Sequence, residues 1–136
     1  MDYKLQVIVV PVADVDRAKA FYVDQAGFRL DVDHRAGEDF RVVQTTPRGS
    51  ACSVTLMKNA ERAGSLQGVH LIVEDIETAR SELAERGVDV KGPFHFEDGQ
   101  PAPGPDPEHS DYGSFLSFED PDGNGWMVQE VRGSHA

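Results

Sequence analysis

The feature that most constrains this chain is a pattern it carries twice. Val12-Ala13-Asp14-Val15-Asp16-Arg17-Ala18 recurs as Val73-Glu74-Asp75-Ile76-Glu77-Thr78-Ala79, with Asp14 and Asp75 61 residues apart, and Gly27-Phe28 recurs as Gly87-Val88 after 60. One residue is therefore lost within the second copy of the intervening segment. A chain of 136 residues does not hold two cores of ordinary size. The repeat predicts two small modules, residues 4–60 and 68–132, within a single domain spanning residues 1–136.

Each copy reads as strand, helix and three strands. Residues 4–12 are apolar and β-branched enough for a buried strand, and Asp14 is a good cap for a helix over 15–25. Val15, Ala18 and Tyr22 fall on one helical face with Phe21 beside them, and Gly27 closes the helix. Strands follow at 28–33, 40–46 and 52–58, separated by Gly37, Pro47 and Gly49. In the second copy Ile76, Ala79 and Leu83 repeat the helical face, and Gly87 sits where a left-handed C-terminal residue belongs. Strands are predicted at 88–96, 114–118 and 126–131. The last two are joined by Asp120-Pro121-Asp122-Gly123-Asn124, whose proline fixes φ and whose Gly and Asn tolerate positive φ. Trp126 reads as core under a helix and Glu130 as the end of its strand. Residues 97–112 hold prolines at 101, 103, 105 and 107 and are predicted to be irregular. Loops of more than about 12 to 15 residues are often functional, so this one is either a lid or a solvated surface loop.

Composition narrows the partners. A net charge of -11 opposes a phosphate-backbone partner, so no nucleic acid is expected. The acids are scattered and read as solubility. No stretch approaches the roughly 20 apolar residues of a membrane span, and the first residues lack the pattern of a signal peptide, so no membrane partner and a cytoplasmic location are expected. The lone Cys52 has no disulfide partner and no metal spacing, and reads as a buried strand residue.

Two βαβββ halves, the paired helix starts, Ala20-Phe21-Tyr22, Ala26-Gly27-Phe28 and the Asp120–Asn124 turn together resemble the vicinal oxygen chelate superfamily of glyoxalase I, extradiol dioxygenases, fosfomycin resistance proteins and bleomycin-binding proteins. The similarity runs from Lys4 to Val131. A narrower glyoxalase-like group is also similar, through Pro103-Gly104-Pro105-Asp106-Pro107, Tyr112-Gly113-Ser114-Phe115 and Gly125-Trp126 before Gln129-Glu130. The resemblance implies an α+β fold in which the modules form a U-shaped, eight-stranded mixed sheet around a central cavity. It also implies a homodimer, a form of association favoured by symmetry.

Members of that superfamily chelate a divalent ion with His or Glu on four strands, two in each half. The matching positions here are Val7, Thr55, Gly68 and Met127, so no metal and no cofactor are expected at the usual place. His70 stands two residues beyond Gly68 and, by the strand period of two, shares its face. Three roles stay open for it: pocket polar group or general base, satisfied structural histidine, or ligand of a divalent metal at a non-standard site. His95 near the loop, and His109 beside Asp111 and Tyr112 within it, are further candidates, and the three histidines could converge. His34 and His135 read as surface, and residues 132–136 as a frayed tail.

The expected function is binding of a small molecule, or metal-independent lyase or isomerase chemistry with His70 as base, in an apolar hollow. Val7, Val9, Ile72 and Met127 would line it, with Gln129, His95, His109 and Tyr112 contributing. The alternatives are a metal-dependent lyase or dioxygenase drawing on His70, His95 and His109, and a protein that sequesters a drug or metabolite.

Overall fold

In a computed structural model, which describes residues 1–133, the chain is of α+β class. Its contacts divide it into two compact units, residues 1–66 with 120–124, and residues 67–119 with 125–136.

The first unit runs β1 (Val7–Val12), α1 (Val15–Lys19) with a π-helical continuation over Ala20–Gln25, β2 (Arg29–Ala36), β3 (Phe40–Thr46) and β4 (Ser53–Lys58). Its sheet is ordered β1-β4-β3-β2, with β1 parallel to β4 and the other pairs antiparallel. Asp14 caps α1 by accepting the Arg17 N–H at 3.1 Å, a contact worth about 1 kcal/mol. The π-helical stretch explains the change of repeat from 61 to 60. Its Ala26 N–H reaches back five residues to Phe21 O, and such a bulge is how a helix absorbs one extra residue. Phe21 and Tyr22 both enter the core, with Val10, Val12, Val43, Val54 and Leu56.

The turn at 120–124 completes this unit. Asp120 Oδ2 accepts the Tyr22 hydroxyl at 2.7 Å and Asn124 Nδ2 at 2.8 Å, while Oδ1 accepts the Asp122 and Asn124 N–H groups, each at 2.9 Å. Asn124 in turn donates to Pro11 O and accepts from Leu66 N. Gly64, at φ +85°, lies so close that a Cβ there would stand 2.2 Å from Asp122 O. Outside, Arg41 bridges Asp16 and Asp33, and Lys19 joins Asp33. The Arg41 and Lys19 bonds hold the Asp33 carboxyl far below the usual range.

The second unit runs β5 (Val69–Val73), α2 (Ile76–Glu85), β6 (Lys91–Glu97), β7 (Gln100–Pro103), β8 (Phe115–Glu119) and β9 (Gly125–Glu130), in the order β5-β9-β8-β6-β7. Four of these strands repeat the path of the first sheet. Asp75 caps α2 through the Glu77 and Thr78 N–H groups, and Gly87 follows the helix at φ +87°. The helix packs on β6, β8 and β9, over Leu116, Phe118, Trp126 and Val128, and Trp126 is core as expected.

Two expectations need correction. The described residues hold nine strands, not eight, because part of 97–112 is not irregular: Gln100–Pro103 pairs antiparallel with β6. Prolines are tolerated there because β7 is an edge strand with one unpaired side. Arg132, expected in a frayed tail, is tied down, its N–H held by Asp111 at 2.9 Å. Residues 134–136, including His135, lie outside the described ones.

Candidate functional site

Because side chains alternate along a strand, each sheet has a face covered by its helix and a face without one. In the second unit the uncovered face carries four of the residues picked from the sequence. Register places His70 beside Met127 and Ile72 beside Gln129 on the parallel pair β5 and β9. Across β8, Ser117 pairs with Met127 and Phe115 with Gln129, and Phe94 of β6 then pairs with Phe115. At the β5 start of this face a cleft of about 400 Å³ is lined by Gln67, Gly68, Lys91, Ser117 and Met127 among others.

His70 is exposed, and its Nδ1 lies 2.7 Å from Gly68 O. A carbonyl only accepts, so Nδ1 carries the proton, and in the neutral ring Nε2 is the free basic nitrogen. Ile72 is 53% exposed, while Met127 and Gln129 are half-buried.

The other histidines are not brought to His70. His95 has the opposite parity to Phe94 and Phe96 and is buried. Its Nδ1 donates to Gly104 O at 2.8 Å, and Nε2 lies 3.2 Å from Glu97 Oε1 without hydrogen-bond alignment. The Gly104 bond first, and Glu97 second, raise its pKa against the effect of burial. His109 donates from Nδ1 to Glu130 Oε1 at 2.8 Å. Glu130 is buried, and its Oε2 also accepts the Ile76 N–H at 2.9 Å at the start of α2. Burial pushes the Glu130 carboxyl up, but the Ile76 N–H, His109 and Arg132 together outweigh it and hold it below its ordinary value. Tyr112, half exposed at φ 64°, donates its N–H to Glu130 O. The loop is thus tied to β9 on the side of the strand opposite Met127 and Gln129.

In the first unit Val7 pairs with Ser53 and Val9 with Thr55, and Val9 is 55% exposed. A hydrogen-bonded chain runs beside them: Gln44 donates to Ser53 Oγ, Ser53 meets Thr46 Oγ1 at 2.8 Å, and Thr46 donates to Asp31. The superfamily's metal positions, Val7 and Thr55 here and Gly68 and Met127 in the second unit, offer no imidazole or carboxylate. Among the described residues no three of His, Cys, Asp and Glu stand close enough to hold an ion. The donor set does not fit a divalent metal.

Sequence reasoning missed Phe94, Phe96 and Phe115, which cluster on the same uncovered face as Gln129. The Phe-x-Phe alternation of β6 was a signal that two rings share a face. Their pairing with Phe115 depends on strand register.

The model of the Glyoxalase/Bleomycin resistance protein/Dioxygenase superfamily matches residues 4–128. TnmS3, an antibiotic-binding protein from Streptomyces sp. CB03234, is 31% identical with a TM-score of 0.76, over 96% of this chain and 97% of its own. A glyoxalase/bleomycin resistance protein from the same organism is 32% identical with a TM-score of 0.72, over 93% of this chain and 100% of its own. The uncharacterized protein YetH of Bacillus subtilis is 27% identical over 126 residues, 90% of this chain and 94% of its own length.

Proposed function

Because this chain belongs to the glyoxalase/bleomycin resistance protein/dioxygenase superfamily, we propose that it is a small-molecule binding protein of the resistance type, which sequesters its ligand without a metal. The observation that carries this reading is the uncovered face of the second sheet. It is apolar through Ile72 and Met127, carries few polar groups, His70, Ser117 and Gln129, and has Gly68 and Met127 where a metal enzyme needs donors. Ligand sites have this composition, with a few polar groups fixing orientation on an apolar surface. The similarity to TnmS3 supports the same reading. On it, His70 Nε2 accepts a hydrogen bond from the ligand.

A second reading keeps the same ligand and makes the chain a metal-independent lyase or isomerase. Its support is the bond from His70 to Gly68, which leaves Nε2 as a base aimed away from the backbone. Native mass spectrometry of protein purified from its own host tests both. Sequestration expects a copurifying small molecule that is recovered with unchanged mass after prolonged incubation with fresh protein. Recovery of a chemically altered product over many turnovers would give the enzyme reading first place, and a protein that retains and binds no small molecule would end both.

A further inference from the structure

The three phenylalanines missed by the sequence reading make a corner. Phe94 and Phe115 lie nearly parallel, 20° apart with centroids at 5.6 Å. Phe96 stands edge-on to both, at 82° and 5.8 Å from Phe94 and at 78° and 5.4 Å from Phe115. Phenylalanines packed this way usually lie in a core, yet Phe96 is 50% exposed and Ile72, three strands along the same face, is 53% exposed. Exposed apolar patches of this kind mark binding surfaces. Gln129 borders the corner as the partner of Phe115, is half-buried, and makes no side-chain hydrogen bond to any described residue. An amide left unpaired beside aromatic rings is a specificity element waiting for a polar edge.

The geometry points to a planar aromatic ligand carrying a hydroxyl or carbonyl on its rim, stacked in the Phe94, Phe96 and Phe115 corner with its polar edge on the Gln129 amide. This rests on the small-molecule binding reading and specifies its ligand class. Two rings at right angles offer a flat molecule one face contact and one edge contact at once, which the quadrupoles of aromatic rings favour. A saturated molecule of the same size gains the apolar burial but not the ring contacts. The discrimination expected from those contacts is about tenfold in affinity.

Titration of the full chain with 2-naphthol and with its saturated counterpart decahydro-2-naphthol, followed by amide NMR shifts, tests this. The expected result is about tenfold tighter binding of 2-naphthol, with shifts at residues 94, 96, 115 and 129. Phe96→Leu should bring its affinity down to that of the saturated probe, while Phe96→Tyr should keep the preference. Equal affinities for the two probes, with a bound small molecule still recovered from the host, would overturn the aromatic class and leave the binding reading standing. Failure of both probes with no recovered ligand would remove both. If Phe96→Leu instead split a dimer in sedimentation and left 2-naphthol binding unchanged, the corner would be a contact between copies and the proposal would fall.

Discussion

The two units draw the same strand path and use it differently. The first ties its parts together with polar chemistry: a buried carboxylate that accepts four hydrogen bonds, an Arg41 bridge between Asp16 and Asp33, and a hydroxyl chain from Ser53 to Asp31. The second has a comparable knot at Glu130 and gathers Phe94, Phe96 and Phe115 on its uncovered face, whereas the clustered rings of the first, Phe21, Tyr22 and Phe28, are buried. A repeated scaffold can thus bury its ring cluster in one copy and leave one on an open face in the other, and only an open cluster is available to a ligand.

The largest blow to this contrast should come at Asp120. Asp120→Ala strands the buried Tyr22 hydroxyl and the Asn124 amide, and urea unfolding should show a loss of about 3 to 5 kcal/mol. A loss smaller than that of any change at Glu130 would reverse the roles assigned to the units. Gly64→Ala comes next, at about 2 to 3 kcal/mol, because the new Cβ meets backbone and the residue must also hold a positive φ.

Glu130→Gln keeps shape and the Ile76 bond but removes charge, and should cost about 1 to 2 kcal/mol at neutral pH. Its sharper signature is the pH dependence. The folded carboxyl titrates below its ordinary value, so its contribution is present above that value and is lost as pH falls through the folded one. Stability of the Gln variant should fall less steeply in acid than that of the parent. Identical slopes would mean that folding leaves the Glu130 carboxyl at its ordinary pKa. Smallest of all in stability is His70→Ala, within about 0.5 kcal/mol because the ring is exposed, yet ligand affinity should drop by about tenfold. A large loss of stability with unchanged affinity would make His70 a structural residue.

The repeat, both capped helix starts and the Asp120–Asn124 turn were legible because each depends on local chemistry: an Asp at a helix start, a Gly at positive φ, a Pro in a turn. Even the missing residue in the second helix was visible, although not that the first helix stores its counterpart as a π-helical stretch. What stayed hidden depends on distant partners. Nothing near His109 in the chain announces Glu130, 21 residues away, and Pro101 and Pro103 argue locally against a strand that exists because β6 supplies the other edge. The site was half legible for the same reason. Parity assigned His70, Ile72, Met127 and Gln129 to faces, but the phenylalanines of β6 reached Gln129 only through β8.

The membership of residues 120–124 in the first unit has a consequence for biosynthesis. The Tyr22 hydroxyl bonds a carboxylate 98 positions downstream, so a nascent first unit leaves the ribosome without the acceptor that its buried phenol requires. It must wait, incompletely packed, until synthesis has passed Asn124 of the 136 residues. Contacts of such long sequence separation slow folding and prolong exposure of apolar surface to aggregation. A gene cut at the middle of the repeat would therefore encode a first half that lacks its own keystone, which binds the two copies into a single unit of inheritance.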